Sequence, residues 1–489
     1  MKSKQKIFKL LWFFLIVEVP LPLLSQSLGE ILKFAKTRSL RARIAATEFD
    51  ISKLYYKYYK AEQAPKLSLL MTPILYSGDA VQRYSYEEDR TYYRTQNSLF
   101  SSARLRLQQN IGLLGGFLYV DTDIRYYQSF GDNRYRQFAS VPLRIGYSQS
   151  LLGYNSYAWD KRIVPILYKI SEKKLLQEME KLSEDVVNRY FSLLLQKERK
   201  LLAEKNFRNC DTLYRKGELE VMLGRMTKLK RDEMKIERSK AKTLAMKAKM
   251  EYDVGKEFLA KKLQMNSNIE VMMPSFIPTG TILLKDAIKF AKQNSWEVLQ
   301  ADKNAKEKGK MLKKQKVQRF AEVNLDVSVG LHQMSETFGG AYKKPMQEQN
   351  VSIGMTIPLA TFGRTKMKYQ QAVLEYDKSC MELREIADGV ENEVVSAVGK
   401  LQLQKDILRD AWEAWESSQE MYATVLLQHK LGRWEIESLH MAVTNMMSAQ
   451  LEYYNALADY WSLWFRIRYL TLYDFEHCHP ISVESFVES

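Results

Sequence analysis

Apolar and polar residues alternate in two runs that lie close together in the chain. Val323, Leu325, Val327, Val329 and Leu331 interleave with Asn324, Asp326, Ser328, Gly330 and His332. A polar stretch with Gly339, Gly340 and Pro345 follows, and the alternation returns at Val351, Ile353, Met355, Ile357 and Leu359. Two period-two segments joined in this way predict an antiparallel strand pair with one apolar face, over about 323–359. After Gly363-Arg364 the spacing changes to three and four, which predicts helix from 366 to 470. A two-stranded hairpin is not stable alone, so these strands need neighbours.

The chain supplies them by repeating the unit. Without a gap, residues 30–69 match residues 286–325 at nine of forty positions. The matches centre on Lys33-Phe34-Ala35-Lys36 against Lys289-Phe290-Ala291-Lys292, followed by Ser39/Ser295, Ala45/Ala301 and Leu69/Leu325. Ile145-Gly146-Tyr147-Ser148 likewise stands against Ile353-Gly354-Met355-Thr356. Each copy therefore reads helix, strand, strand, long helix. The expected division is a leader over 1–25, a first repeat over 26–270 and a second over 271–475, with a C-terminal tail at 476–489. The first repeat holds strands at about 66–151 and a helical hairpin at about 156–265; the second holds strands at about 323–359 and a hairpin at about 366–470.

The leader has Lys2, Lys4, Lys6 and Lys9, an apolar run from Leu10 to Val17, then Pro20 and Ser25-Gln26. That is the pattern of a secretory signal peptide, with an apolar run too short to span a bilayer. An N-terminal anchor helix is the alternative, but Glu18 and two prolines interrupt it. Past Gln26 there is no stretch of 18 apolar residues, so an exported chain is either free of the bilayer or inserted as a β-barrel. Leu99, Ala103, Leu105 and Leu107 alternate with Arg104, Arg106 and Gln108. Leu118, Val120, Thr122 and Ile124 alternate with Tyr119, Asp121, Asp123 and Arg125, and Val141, Leu143 and Ile145 with Arg144 and Gly146. One apolar and one charged face per strand suits a lipid-facing wall with a wet interior. Tyr76, Phe100, Tyr119, Tyr126, Tyr127, Phe130, Tyr135, Phe138 and Tyr154 are expected as interfacial aromatics. A β-sandwich outside the membrane is the competing arrangement.

Two long helical stretches, about Ser156 to Lys262 and Lys366 to Leu470, each contain one expected interruption, at Lys216-Gly217 and at Leu431-Gly432. Each is expected to be a hairpin with arms of about fifty residues. At this point the chain resembles the TolC-like outer membrane efflux protein family, of the kind found in Bacteroidetes-type bacteria. The residues that carry the likeness are the duplication itself, Thr356-Ile-Pro-Leu-Ala-Thr-Phe-Gly-Arg364, its partner from Gln149 to Lys161, and the closing Arg468-Tyr-Leu-Thr-Leu-Tyr-Asp-Phe475. The resemblance implies a mainly α fold with a membrane β-barrel portion, built as a homotrimer with a trimeric α-barrel. It also implies a periplasmic adaptor (membrane fusion protein) and an inner-membrane pump as partners, with the barrel in outer membrane lipid. Whether 99–129 adds strands to the barrel is left open. The resemblance implies that the helical tips dock on the adaptor; Gly217 and Gly432 are expected to mark those tips and Trp434 to contact the adaptor, with packing between protomers as the other role for Trp434. Some family members carry aspartates six and nine residues after the second tip glycine; Ser438 and Met441 stand there, and Leu223 and Met226 at the same spacing after Gly217, so the acidic ring does not transfer. Glu435 and Glu437 are the substitutes for a periplasmic aperture, against an ordinary solvated helix face.

Composition narrows the chemistry. There is no phosphate-binding glycine loop, no Cys-x-x-Cys and no His-Glu-x-x-His, and no cofactor or enzyme activity is expected. His477-Cys478-His479 with Asp474 and Glu476 is the one cluster of metal-ligand types, but adjacent ligands in a tail rarely close a tetrahedral site, and no metal is expected. Three cysteines make no disulfide framework. The net charge of +16 and the seven lysines of 303–316 raise nucleic acid or acidic lipid as partners. The leader argues against nucleic acid, and helical lysines are ordinarily a solvated face. What remains is a passive export duct of a tripartite efflux or type I secretion system, with an exported coiled-coil scaffold or adaptor as the alternative.

Overall fold

The computed structural model describes residues 27–130, 134–152, 154–264, 269–274, 276–430 and 436–483. The leader and the stretch 431–435 lie outside them, and with it Gly432, Trp434 and Glu435. The chain packs as two units, one of Met1–Ala46, Leu175–Lys292 and Glu391–Ser489, the other of Thr47–Lys174 and Gln293–Val390.

The second of these holds a six-stranded sheet: β1 (Lys66–Ser85), β2 (Arg90–Ile111), β3 (Gly116–Phe130), β4 (Tyr135–Ser150), β5 (Glu322–Ser335) and β6 (Met346–Thr356). The strands pair in chain order, every neighbour antiparallel, and β1 and β6 are the two edges. Residues 99–129 thus lie within the sheet, in β2 and β3. The first copy of the repeat contributes four strands and the second two.

Helices flank the strands in matching pairs. In the first copy they are α1 (Leu28–Arg38), α2 (Leu40–Glu62), α3 (Ser156–Met222) and α4 (Lys228–Leu263); in the second, α5 (Leu284–Asn294), α6 (Trp296–Gln318), α7 (Arg364–Lys430) and α8 (Ile436–Thr471). The lengths are 11, 23, 67 and 36 residues in both copies. The residues shared by the two copies have local causes. Ser39 Oγ accepts from the Ala42 N–H and Ser295 Oγ from the Val298 N–H, each at 3.2 Å, so each serine caps the second helix of its pair. Ala35 and Ala291 are wholly buried. Lys36 and Lys292 each pair with a carboxylate on the following long helix, Glu180 and Glu391.

Two expectations about the hairpins need correction. Their arms are 67 and 36 residues rather than fifty each. The first hairpin does not break at Gly217, which lies inside α3; the chain reverses between Met222 and Lys228, where Gly224 has φ +67. A left-handed backbone there suits glycine and ends the helix. With α3 and α7 aligned, the counterpart of Gly432 is Gly224. Gly217 lies seven residues earlier, two helical turns, so its flanking side chains repeat the same face and imitate the true turn.

The other unit has an apolar core from α3 and α8. Leu176, Leu182, Val186, Val187, Tyr190 and Phe191 of α3 are buried, as are Leu457, Trp461, Trp464 and Ile467 of α8. One carboxylate sits among them. Glu180 has no exposed side-chain surface and accepts from Lys36 Nζ at 2.9 Å and Arg468 Nε at 3.1 Å. Burial pushes its pKa up, but Lys36 and Arg468 outweigh this and hold it below the ordinary carboxylate value. Arg468 also reaches Asp474 at 2.6 Å. Asp474 is held at a pKa of about 2 because Arg468 and the His477 bonds outweigh its burial. Asp474 belongs to a small closing hairpin, β7 (Tyr473–Asp474) with β8 (His479–Pro480), whose neighbours Leu472 and Ile481 pack on Leu176.

Candidate functional site

The sheet has two unlike faces, and the register shows how they arise. Leu105 pairs with Leu69 on one side and Thr122 on the other, and Leu107 with Leu67 and Val120. Val120 pairs with Ile145, Ile145 with Val329, and Val327 with Val351. Leu67, Leu69, Met71, Leu105, Leu107, Leu143, Ile145, Val329, Val351 and Ile353 are all exposed. That leaves on the order of 1,000 Å² of contiguous apolar surface, where soluble monomers show a few hundred.

The opposite face is charged. Asp121 stands between Arg106 and Arg144, and Asp123 faces Arg104. Arg106 donates from Nε and Nη2 to Asp121 Oδ2 at 3.0 and 2.6 Å, and Arg144 donates to Oδ1 and Oδ2 at 2.9 and 3.1 Å. Asp123 takes bonds of 3.1–3.3 Å from Arg104 and Arg125. The two carboxylates are 0% and 2% exposed, while the guanidiniums range from 17% to 42%. Four cations therefore cover two anions. Tyr119 shares this face: Arg106 lies 4.6 Å from its ring centroid, and the ring lies over Gly146, where a Cβ would come within 2.2 Å. Tyr119 is thus part of the polar wall rather than the aromatic belt expected for it. Tyr126 and Phe138 do pair across β3 and β4, with Phe338 against Phe138.

Each of these arginines and aspartates alternates visibly in the sequence, but only the register assembles them. The helical turn shows a second feature that the sequence did not single out. Leu219, Met222, Leu223 and Leu229 surround Gly224 and are strongly exposed. Glu437 is the second residue of α8. Of the lysines in 303–316, Lys303, Lys306, Lys308 and Lys310 form ion pairs with Glu307, Asp302, Glu375 and Asp160, which accounts for them as a paired helix face. Asp474, His477 and His479 do lie within ligand distance of one another. Asp474 is already spent, however: Oδ2 takes Arg468, and Oδ1 takes the backbone N–H groups of Glu476 and His477. No helix among the described residues is long and apolar enough to cross a membrane.

No family model and no curated protein matches the chain in sequence. Solved structures do match it in fold. The outer membrane protein VceC of Vibrio cholerae superposes with a TM-score of 0.61 at 11% identity, over 93% of this chain and 97% of its own. The outer membrane channel CmeC of Campylobacter jejuni gives 0.62 at 12% identity, over 94% and 88%. The open state of the Neisseria gonorrhoeae outer membrane channel MtrE gives 0.58 at 15% identity, over 91% and 88%. The chain has the TolC-like fold of these outer membrane channel structures.

Proposed function

We propose that this protein is an outer membrane channel, the passive exit duct of a tripartite efflux or type I secretion system. The two-faced sheet with free edges carries this reading. Its apolar face calls for lipid and its arginine–aspartate face for water. Six strands would close on a diameter of roughly 12 Å at a spacing of about 4.8 Å and a tilt of about 40°, too narrow for a wet lumen. Because the number of strands is even, β6 of one copy runs antiparallel to β1 of another, so copies can join edge to edge. Three copies supply eighteen strands, which close at roughly 36 Å. That is a homotrimer in which each chain supplies six strands of the wall.

The paired long helices then form the periplasmic sleeve, each 67-residue arm being about 100 Å long. The exposed leucines and Met222 around Gly224, with Gly432 and Trp434 on the second hairpin, meet a periplasmic adaptor that links to an inner-membrane pump. Glu435 and Glu437 are candidates for the periplasmic aperture. The leader over 1–25 delivers the chain for export. Transport needs no cofactor; the partner supplies the energy.

The test is fractionation followed by conductance. The protein should be extracted from outer membranes by detergent as a heat-modifiable trimer and give ion-conducting steps in a planar bilayer. A water-soluble monomer without conductance would instead favour the exported scaffold.

A further inference from the structure

The arginine–aspartate cluster contains more cations than its own neutrality needs. Across the β2–β3 register, Arg106 faces Asp121 and Arg104 faces Asp123, and these two pairs balance. Arg144 on β4 and Arg125 on β3 are additional, so the patch carries a surplus of two positive charges. The carboxylates are buried beneath the guanidiniums, and a solute meets the cations first. Every arginine engages its aspartate through Nε and Nη2, and Nη1 takes no part in those bonds.

The nearest acidic group at the same level of the wall is Glu348. The register runs from Arg144 through Gly330 to Glu348, a separation of two strands. That is about 10 Å at the usual spacing, longer than the screening length of about 8 Å at physiological salt. Asp326 lies on the same face of β5, opposite Ser148 and four residues along β4 from Arg144. The surplus is therefore not cancelled locally. Five of the six charged residues sit on β2 and β3, the hairpin that the second copy of the repeat lacks.

We infer that these strands form an anion-binding belt on the wall of the pore, which takes phosphate and carboxylate groups of solutes in transit. Arg125, the most exposed of the four, offers the surplus charge to solutes, while Arg106 and Arg144 hold the buried Asp121 and Arg104 holds Asp123. This rests on the channel reading above. Rings of arginine are a recurrent means of passing or retaining anions in pores, and paired guanidiniums suit tetrahedral and planar oxyanions.

Inorganic phosphate is the probe. The trimer is inserted in a planar bilayer in potassium chloride, and phosphate is titrated against its conductance. The unmodified channel should show a saturable fall in conductance. Arg125→Gln should raise the half-effect concentration about two- to fivefold, the worth of one solvent-exposed ion pair. Arg125 is the most exposed of the four, and Asp123 keeps Arg104 without it, so this variant is expected to insert normally. Arg125→Glu should abolish the effect. A conducting channel that ignores phosphate, or an equal response in the unmodified and R125Q proteins, overturns the belt while leaving the channel intact. Absence of any conductance from the unmodified trimer overturns the channel reading, and the belt with it.

Discussion

The buried carboxylate Glu180 offers a quantitative test of what holds the helical unit together. Glu180→Gln keeps the side-chain volume but leaves Lys36 and Arg468 facing a neutral amide. Removing one member of a buried ion pair ordinarily costs about 3–5 kcal/mol, because the remaining charge is left uncompensated. Arg468 retains Asp474 at 2.6 Å, so a value near the lower end, about 3 kcal/mol, is expected. In a unit of this size each kcal/mol moves the melting midpoint by about 2–4 °C, giving a drop of about 6–12 °C. Trp461 and Trp464 report the same core, so intrinsic fluorescence in detergent follows the transition. The double variant Lys36→Met, Glu180→Gln removes the stranded ammonium and should recover part of the loss. A drop of less than about 2 °C for E180Q, against the expected several-degree shift, would refute the placement of Glu180 between two cations. So would a double variant no better than the single.

Three other outcomes follow from the same structure. Asp474 has its pKa lowered from 3.8 to about 2, so its contribution to stability is fully present above pH 3.8 and disappears as the pH falls toward about 2. Asp474→Asn should flatten the melting midpoint across that window. Gly146→Val should clash with the Tyr119 ring and cost about 1–3 kcal/mol, read as a smaller heat-modifiable trimer band; adding Tyr119→Ala should restore it. Met222→Ser with Leu223→Ser should reduce crosslinking to a periplasmic adaptor while trimer stability and conductance stay unchanged, and intact crosslinking would remove these residues from the contact.

Which of these features could be read before the fold was known depends on whether local pattern or register creates them. The alternation of Val323 to Leu331 and of Val351 to Met355 identifies β5 and β6 because one side of each strand is apolar. The same rule fails for Arg90-Thr-Tyr-Tyr-Arg-Thr-Gln96, the first third of β2. It has no apolar side, and its backbone pairs with 79–85 of β1. The arginine belt was visible as Arg104-x-Arg106 and Asp121-x-Asp123, but nothing local shows that the two dipeptide steps meet across a turn in that register. Glu180 left a faint sign, a charge adjoining the apolar series Leu175, Leu176, Met179 and Leu182; its partners come from 36 and 468, far away in the chain. Gly217 misled because helical periodicity makes positions seven apart look alike, whereas the reversal needed the left-handed backbone of Gly224.

The inequality of the two copies has a topological cause. From α1 and α5 to the first strands the copies are offset by 256 residues, and from α3 and α7 onward by 208. The missing 48 residues all fall between the first and last strand of the unit, where copy one has the additional β2 and β3. Only an even number of strands can be added there. An odd number would deliver β4 to the wrong end of the sheet, and α3 could not then start where α7 does. An inserted hairpin leaves every helix length unchanged, and the lengths 11, 23, 67 and 36 are indeed common to both copies. The turn that joins β2 to β3 is also tied to the helical end of the sheet: Asn155 Nδ2 donates to Gly112 O at 2.9 Å, while Asn155 Oδ1 accepts from the Ala158 N–H in the first turn of α3. One side chain therefore caps the long helix and anchors the added hairpin. In this way a chain of this fold can widen its sheet by whole hairpins without altering the helical frame that carries it.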